Sequence, residues 1–490
     1  MLIAGDEPGD AQAQRAVLTT LAVSAVVWFL VPTRFHHAPP LDVVEGYSWG
    51  REWVLSTYKH PGLPSWLIEA SRVITAGGIG WPVYLVSQAL VAATVWLAYL
   101  LGRELWGAPA GAAAAMVMVG LEPLAWMSPA LNHTLVQLPF IVAAMLLAWR
   151  AAHSGKPLDW IALGLVAGIG FYAKLNHILF LIAVAVWLLA EPQNRMRLAS
   201  PWPWIAAALS IVIVIPLWMS LAGNGWQVSE YARSRADVLG TSPWHFVPRM
   251  LGMATLPAVM FAAVWLTRPR GSSAPGAVPS TPSTQTATRF LLVMLLVPLG
   301  LMMLYAIARG HGLRTMWGAP LMPALVLLGA GLLWPRFDAA ALRRLSLVSI
   351  IAVVAMGAIY AATLLRREGG DRVTRANWPE RKISAFLAEQ WRAATSRPLK
   401  IVAGDTWVGG LAILRHPDRP SILTEGRYDR SPWIGGPAAL ARHGGLVVWD
   451  ARRDIMPEVA TLIGDRPRRT HTIPTRRGTI EIGYAILPPK

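Results

Sequence analysis

Cysteine is missing from all 490 residues, and charge is scarce, with Asp, Glu, Lys and Arg together making up 14%. The first absence excludes disulfides, thiolate zinc sites, iron–sulfur clusters and cysteine nucleophiles. The second excludes an ordinary water-soluble enzyme, in which about a quarter of residues carry charge. Disorder is excluded as well, because 54% of the chain is hydrophobic. Acid is scarcer than base: 27 Asp and Glu stand against 44 Lys and Arg, a net charge of +17. Such a balance suits nucleic acid, anionic lipid or phosphate. At a mean hydropathy of +0.43 the natural solvent is a bilayer, so lipid and phosphate come first and nucleic acid is set aside. HExxH, Walker, GxGxxG and GxSxG patterns are also missing from the sequence, which leaves soluble nucleotide chemistry no address.

What is present is a series of apolar runs. The run at 16–31 leads into Pro32 without a small-residue cleavage site and reads as a retained first membrane helix. Further runs follow at 82–101, 108–125, 134–149, 159–173, 177–190, 202–221, 248–266, 290–308, 317–334 and 345–365. Each approaches the ~20 residues that cross the hydrocarbon, giving about eleven spans. Residues 271–288 (GSSAPGAVPSTPSTQTAT) read as a linker. With the N-terminus inside, the outer loops hold Arg34, Arg51, Lys59, Arg72, Arg233, Arg235, Arg249, Arg309 and Arg314. Topology alone does not favour so much outer positive charge. A phosphate-bearing substrate gives a reason for it.

After residue 365 the pattern changes. An amphipathic helix at 381–394 is followed by short strands at 399–403, 421–423, 445–449 and 479–487, with helical pieces at 409–414, 437–442 and 455–463 between them. Strands alternating with helices point to a small α/β unit. The expected architecture is therefore an all-α polytopic membrane domain over 1–365 and a soluble α/β domain over 366–490.

The loop at 33–81 carries the most chemistry. Asp42 and Glu45 are three residues apart and share one face of a helix. Trp49 and Trp53 follow at helical spacing, then Tyr58, Lys59, His60 and a proline stop. Two carboxylates beside a Lys–His pair can deprotonate an acceptor and bind a phosphate. The same spacing also describes an interfacial helix with an aromatic belt and solvated charges. Lys174 and His177 lie within an apolar stretch, where a lysine faces protein or a polar cavity, unless the chain turns here and sets both at a helix-hairpin tip with a snorkelling lysine. His133 follows Asn132 in a loop, as an anchor or a ligand. Arg309, His311 and Arg314 lie in a Gly-rich turn that can clamp a phosphate.

The runs LDVVEGYSW at 41–49 and YKHPGLPSWL at 58–67 resemble the first-loop signature of bacterial family 39 glycosyltransferases. That family is similar to dolichyl-phosphate-mannose protein mannosyltransferases and to the aminoarabinose transferases that modify lipid A. GIGFYAKLNHILFL at 168–181 resembles its later lysine motif, RTMWGAPL at 314–321 its basic–Trp–Pro segment, and GDTWVGGLAILRHPDRPSI at 404–422 the soluble tail of one branch. The resemblance implies a GT-C-like fold of about 11 transmembrane helices with an outward-facing site. It implies a polyprenyl-phosphate-linked sugar as donor and a lipid, glycan or protein as acceptor, in the inner (plasma) membrane with the C-terminal domain facing the periplasm or exterior. Asp42 or Glu45 takes the carboxylate position, Lys59 and His60 sit near the donor phosphate, and Lys174 and Arg314 are further contacts. Many members carry Asp-Glu where Val44-Glu45 stands, a second proline where Gly62 stands, and an acid where Lys59 stands. No cofactor follows with certainty, and a divalent metal stays open. Two rival classes remain: a secondary transporter, against which the tail and the lack of a visible repeat count, and a non-catalytic binder of lipid-linked sugar.

Overall fold

The computed structural model describes residues 8–267, 282–333, 339–366, 373–475 and 478–490. Its helices run in order as α1 (Pro8–Phe35), α2 (Leu41–Gly50), α3 (Leu63–Ile74), α4 (Trp81–Trp106), α5 (Ala108–Met118), α6 (His133–Ser154), α7 (Pro157–Ala173), α8 (His177–Ala190) and α9 (Pro192–Arg195). They continue with α10 (Trp202–Gly223), α11 (Gln227–Leu239), α12 (Pro243–Gly252), α13 (Thr255–Leu266), α14 (Pro282–Arg309), α15 (Met322–Leu333) and α16 (Ala339–Leu365). Among the described residues seven helices are long and apolar enough to cross a membrane, or nine if each of two bent pairs is one span. The expected count of about eleven included α5 and α7, which are apolar but short. At 1.5 Å per residue an eleven-residue helix reaches only about 16 Å. α5 has no need to reach further, since its ten residues from Ala110 to Met118 and Ala108 are almost wholly sequestered against other helices. The chain is a multi-pass membrane protein. The linker read at 271–288 lies outside the described residues up to 281, and from Pro282 onward it forms the first turns of α14.

Small residues set the helix packing, as they do where no water drives association. A Cβ on Gly102 of α4 would stand 2.7 Å from the Cα of Gly111 on α5, so the two backbones touch only because neither has a side chain. α1 packs on α16, α4 on α5 and α6, and α7 on α10.

The tail begins with α17 (Glu380–Ala394) and builds a five-stranded sheet from β1 (Ile401–Gly404), β2 (Ser421–Thr424), β3 (Gly445–Asp450), β4 (Arg469–Thr475) and β5 (Gly478–Leu487). The order is β2-β1-β3-β5-β4. β1 is parallel to β2 and β3, while β5 is antiparallel to β3 and β4. α18 (Val408–Leu414) links β1 to β2, α19 (Pro437–His443) links β2 to β3, and α20 (Pro457–Ile463) precedes β4. β1 is buried throughout, as expected of a parallel strand covered on both faces. The sequence reading missed β4. Of its seven residues (RTHTIPT) only Ile473 is buried, and Pro474 falls on a sheet edge, where proline is tolerated.

The two halves share a core. Ala38 and Val44 from the first loop join Trp378, Ile383, Leu387, Val408 and Leu411 of the tail in one apolar cluster. The backbone N–H groups of His37 and Ala38 donate to the carbonyl of Ala376 at 2.7 and 3.2 Å. Glu69 of α3, almost fully buried, accepts from Arg72 at 2.7 Å and from Arg419 of the tail at 2.8 Å.

Candidate active site

α2 is the element that fixes the site. Pro40 precedes it in extended conformation and Asp42 lies in its first turn. Eight of its ten residues are buried. Val43 and Tyr47 face a cluster with Ile68, Val83 and Val136 on the membrane side, whereas Val44 enters the tail's core. The helix is thus wedged between two apolar masses. A Cβ on Gly410 of α18 would strike Val44, so α18 rests directly on α2. The face left over presents Asp42 and Glu45 to a cavity of about 910 Å³. An interfacial helix with solvated charges does not describe this arrangement: Trp49 is buried, and only Trp53 is exposed.

The loop after α2 is drawn tight by Thr57. Its hydroxyl accepts from the backbone N–H of Lys59 at 3.2 Å and of His60 at 3.1 Å, and donates to the carbonyl of His60. Gly62 donates its N–H to the carbonyl of Leu55 at 2.8 Å, a bond that a proline there could not make. A Cβ there would also strike the carbonyl oxygen of Val54, so glycine fits this position. The Lys59 ammonium pairs with the Glu45 carboxylate and lies near the rings of Tyr58, Tyr231 and Trp49, 5.3 to 5.6 Å from each. Burial alone would lower Lys59; the Glu45 carboxylate and the phenols of Tyr58 and Tyr231 outweigh it and hold it above its ordinary value. Burial raises Glu45, and Lys59 pulls it back. Lys59 therefore lines the cavity with its charge already matched, which sets it apart from the free phosphate contact expected of it.

Asp42 differs from Glu45 because its side chain is open to the cavity. The surrounding protein still raises its pKa, while Lys59, Arg314, the Asn132 amide and Arg375 draw it down. Asn132 caps α6, its Oδ1 accepting from the N–H groups of Thr134 and Leu135 at 3.0 Å. Lys174 follows α7 in extended conformation and donates to the Thr134 hydroxyl at 2.9 Å. Burial and neighbouring Arg314 lower Lys174 to about 8, with Asp42 opposing them. His60 stacks on His133 with ring centres 3.9 Å apart, and His133 reaches the carbonyl of Pro61 at 3.3 Å. Burial first, then His133 and the nearby cations, keep His60 far below its usual pKa and so neutral.

The far wall is α11, which reading of the sequence did not resolve as a helix. It brings Tyr231, Arg233 and Arg235 to the cavity. It is tied to the turn after α14 by His311 and Asp237 at 2.7 Å and by paired backbone bonds between Thr241 and Leu313. Arg309, His311 and Arg314 line the same cavity from that turn. The surplus of outer-loop arginine was the signal for this wall.

Nine of the eleven singled-out residues thus converge on one cavity: Asp42, Glu45, Lys59, His60, His133, Lys174, Arg309, His311 and Arg314. Two do not. His177 is fully buried at the start of α8, packed on Phe171 and the backbone of Gly170, because the helix begins by turning it between α7 and α8. Tyr58 lines a separate cavity of about 640 Å³ between the start of α11 and residues 427–432, with the Arg430 guanidinium 4.6 Å over its ring. Among the described residues no group of three or more His, Asp or Glu side chains is placed to hold a metal ion.

Residues 59–219 match the family model for dolichyl-phosphate-mannose-protein mannosyltransferase, a stretch that begins just after α2. The chain is 26% identical over 472 residues to the lipopolysaccharide core galacturonosyltransferase RgtA of Rhizobium johnstonii, covering 92% of this chain and 89% of that one. It is 24% identical over 507 residues to an undecaprenyl phosphate-alpha-4-amino-4-deoxy-L-arabinose arabinosyl transferase of Pseudomonas paraeruginosa, covering 90% and 86%. The crystal structure of ArnT from Cupriavidus metallidurans bound to undecaprenyl phosphate superposes with a TM-score of 0.63 at 13% identity, covering 95% of this chain and 97% of that one. The fold seen here is that of ArnT. On fold, family model and near-full-length relatives together, the chain is similar to the GT-C group that holds the dolichyl-phosphate-mannose-protein mannosyltransferases and the ArnT-like transferases.

Proposed function

We propose that the chain is a membrane glycosyltransferase that moves a sugar from a polyprenyl-phosphate donor to an acceptor hydroxyl at the outer face of the inner membrane. One observation carries the reading: of the two carboxylates lining the cavity Glu45 is paired with Lys59, whereas Asp42 lies close to Lys174 and Arg314, neither of which forms an ion pair among the described residues. Transfer of this kind makes two demands. The acceptor hydroxyl must lose its proton as it attacks the anomeric carbon, and the phosphate that departs must have its charge neutralised.

Asp42 accepts the proton. Its raised pKa brings it toward the working pH, where a base is both ionised and strong. Lys174 and Arg314 receive the phosphate as its bond to the sugar breaks. Arg314 offers a planar fork and Lys174 a point charge. A metal ion would have to share Asp42 with these two cations, so the fixed ammonium and guanidinium serve in its place. Glu45, held by Lys59, fixes the loop and the α2 face, and takes no proton from the acceptor. The polyprenyl chain supplies binding energy at ~0.8 kcal/mol for each methylene buried.

The undecaprenyl phosphate-aminoarabinose transferase of Pseudomonas paraeruginosa and the ArnT structure bound to undecaprenyl phosphate support the lipid-phosphate donor. Their sugars differ in charge, galacturonic acid in one and an amino sugar in another. The test is transfer by purified protein in liposomes from a set of undecaprenyl-phosphate sugars, analysed by mass spectrometry of the acceptor lipids and glycans. Transfer from at least one donor, abolished in Asp42→Asn, is the expected result. Full transfer in Asp42→Asn would overturn the role given to Asp42.

A further inference from the structure

The cavity holds more positive charge than a donor phosphate can use. Six cationic side chains line it against two acids, Asp42 and Glu45. Lys59 is matched by Glu45. Lys174, Arg233, Arg235, Arg309 and Arg314 form no ion pair among the described residues. A diester phosphate carries one negative charge and the departing monoester at most two. After Lys174 and Arg314 have met it, the α11 wall still presents Arg233 and Arg235, which form no ion pair among the described residues; the acid that acts on Arg235 is Glu45, itself already paired with Lys59.

Arg235 is the best placed of these. It sits on α11 four residues after Tyr231, one turn away on the same face, and its guanidinium lies 5.2 Å from the centre of the Tyr231 ring. The Tyr231 ring in turn meets His60 edge-on at 5.6 Å. His60 is the ring that stacks on His133 beside Lys174. A sugar placed between the phosphate cations and α11 therefore meets two aromatic rings and, beyond them, a half-buried planar fork. That fork matches a carboxylate in two parallel hydrogen bonds. A neutral hydroxymethyl group would leave it unmatched, and an ammonium would face a second cation.

Building on the glycosyltransferase reading, we propose that the donor sugar is a uronic acid, and that Arg235 is the residue that selects it by binding its carboxylate. An anionic group on the acceptor, such as a lipid phosphate, is the other source of charge that could meet this wall, and the experiment separates the two.

Three polyprenyl-phosphate donors that share a ring are compared: the uronic acid, the neutral hexose with a hydroxymethyl group in place of the carboxylate, and an amino sugar. Each competes for binding to the purified protein without acceptor, and each is then offered with acceptor. The expected result is binding and transfer of the uronic acid at least about tenfold better than of the neutral sugar, a difference of about 1.4 kcal/mol. Arg235→Gln should close most of that gap, and Arg235→Lys only part of it, because lysine keeps the charge but loses the fork. Preference is a ratio within one preparation, so a variant that folds poorly lowers both values and leaves the ratio intact. Equal or better use of the neutral or amino sugar by active protein would overturn the proposal. So would a uronate preference that Arg235→Gln leaves whole, or one that appears only when acceptor is present. Failure to bind or use any of the three donors would instead count against the glycosyltransferase reading itself.

Discussion

The seam between the tail and the first loop, and the cavity a few residues away, are both rich in arginine, and they treat it oppositely. At the seam the charges close on each other: Arg419 and Arg72 on Glu69, Arg415 on Glu380, Arg430 on Glu425. In the cavity Lys174, Arg233, Arg235, Arg309 and Arg314 form no ion pair among the described residues, although Asp42 stands near Lys174 and Arg314. A fold that neutralises charge in one place and leaves it open in another has no stability reason for the second. Unpaired charge near a low-dielectric interior costs free energy that a bound anion returns. The contrast separates the charges that hold the protein together from the charges that wait for a ligand.

The strongest way to break the contrast is at Asp42. Asp42→Asn keeps the shape and removes the base, so transfer should fall about 10²- to 10⁴-fold with the protein still folded and inserted, measured as turnover per mole of purified protein. Next come the phosphate cations. Lys174→Gln or Arg314→Gln should each lower turnover about 10²- to 10³-fold by removing a fixed donor to the departing charge. Lys174 also sets a pH limit. Its pKa is lowered to about 8, so kcat/KM should fall as pH rises through about 8 and the ammonium loses its proton. On the acid side it should fall as Asp42 gains a proton, at a pH above that of an ordinary aspartate because burial raises the Asp42 pKa. Lys174→Arg should erase the alkaline limb and leave the acid limb.

The paired charges should behave in the opposite manner. Glu45→Gln leaves Lys59 buried and unmatched, and should destabilise the protein by about 3–5 kcal/mol. Replacing both partners with apolar residues (Glu45→Leu with Lys59→Met) should recover most of that stability, as read by thermal unfolding in detergent. A smaller effect is expected where α18 rests on α2. Gly410→Ala pushes a methyl into Val44 and should cost about 1–3 kcal/mol. It should also lower kcat more than it weakens donor binding, because it tilts the helix that carries Asp42. Val44→Ala in the same chain should restore both.

Much of this was legible in the sequence, and the misses have physical causes. Asp42 and Glu45 at a spacing of three predicted one helix face, and α2 provides it. What spacing could not separate was their burial: one carboxylate opens to the cavity and the other is sealed against Lys59, a difference made by elements distant in the chain. Lys174 in an apolar stretch signalled a polar cavity through the cost of burying a charge, and it lines one. His177 carried the same signal and is packed instead against Phe171, because a helix start can bury a neutral ring that a lysine must keep hydrated. α11 was missed because QVSEYARSRADVL has no apolar stripe of its own. Only Val228 and Ala236 are buried, and the helix holds its place through the Asp237–His311 and Thr241–Leu313 ties. β4 was missed for a related reason: an edge strand has one neighbour and little apolar periodicity to display.

The central claim is that the unpaired cations beside Asp42 are there for a lipid phosphate. Binding of undecaprenyl phosphate to the purified protein tests it directly, comparing wild type with the double variant Lys174→Gln and Arg314→Gln, and using Arg419→Gln at the seam as the reference. The account predicts at least about a hundredfold weaker binding in the double variant, about 2.7 kcal/mol, and near-unchanged binding in the reference. Equal binding by the double variant and wild type would contradict it.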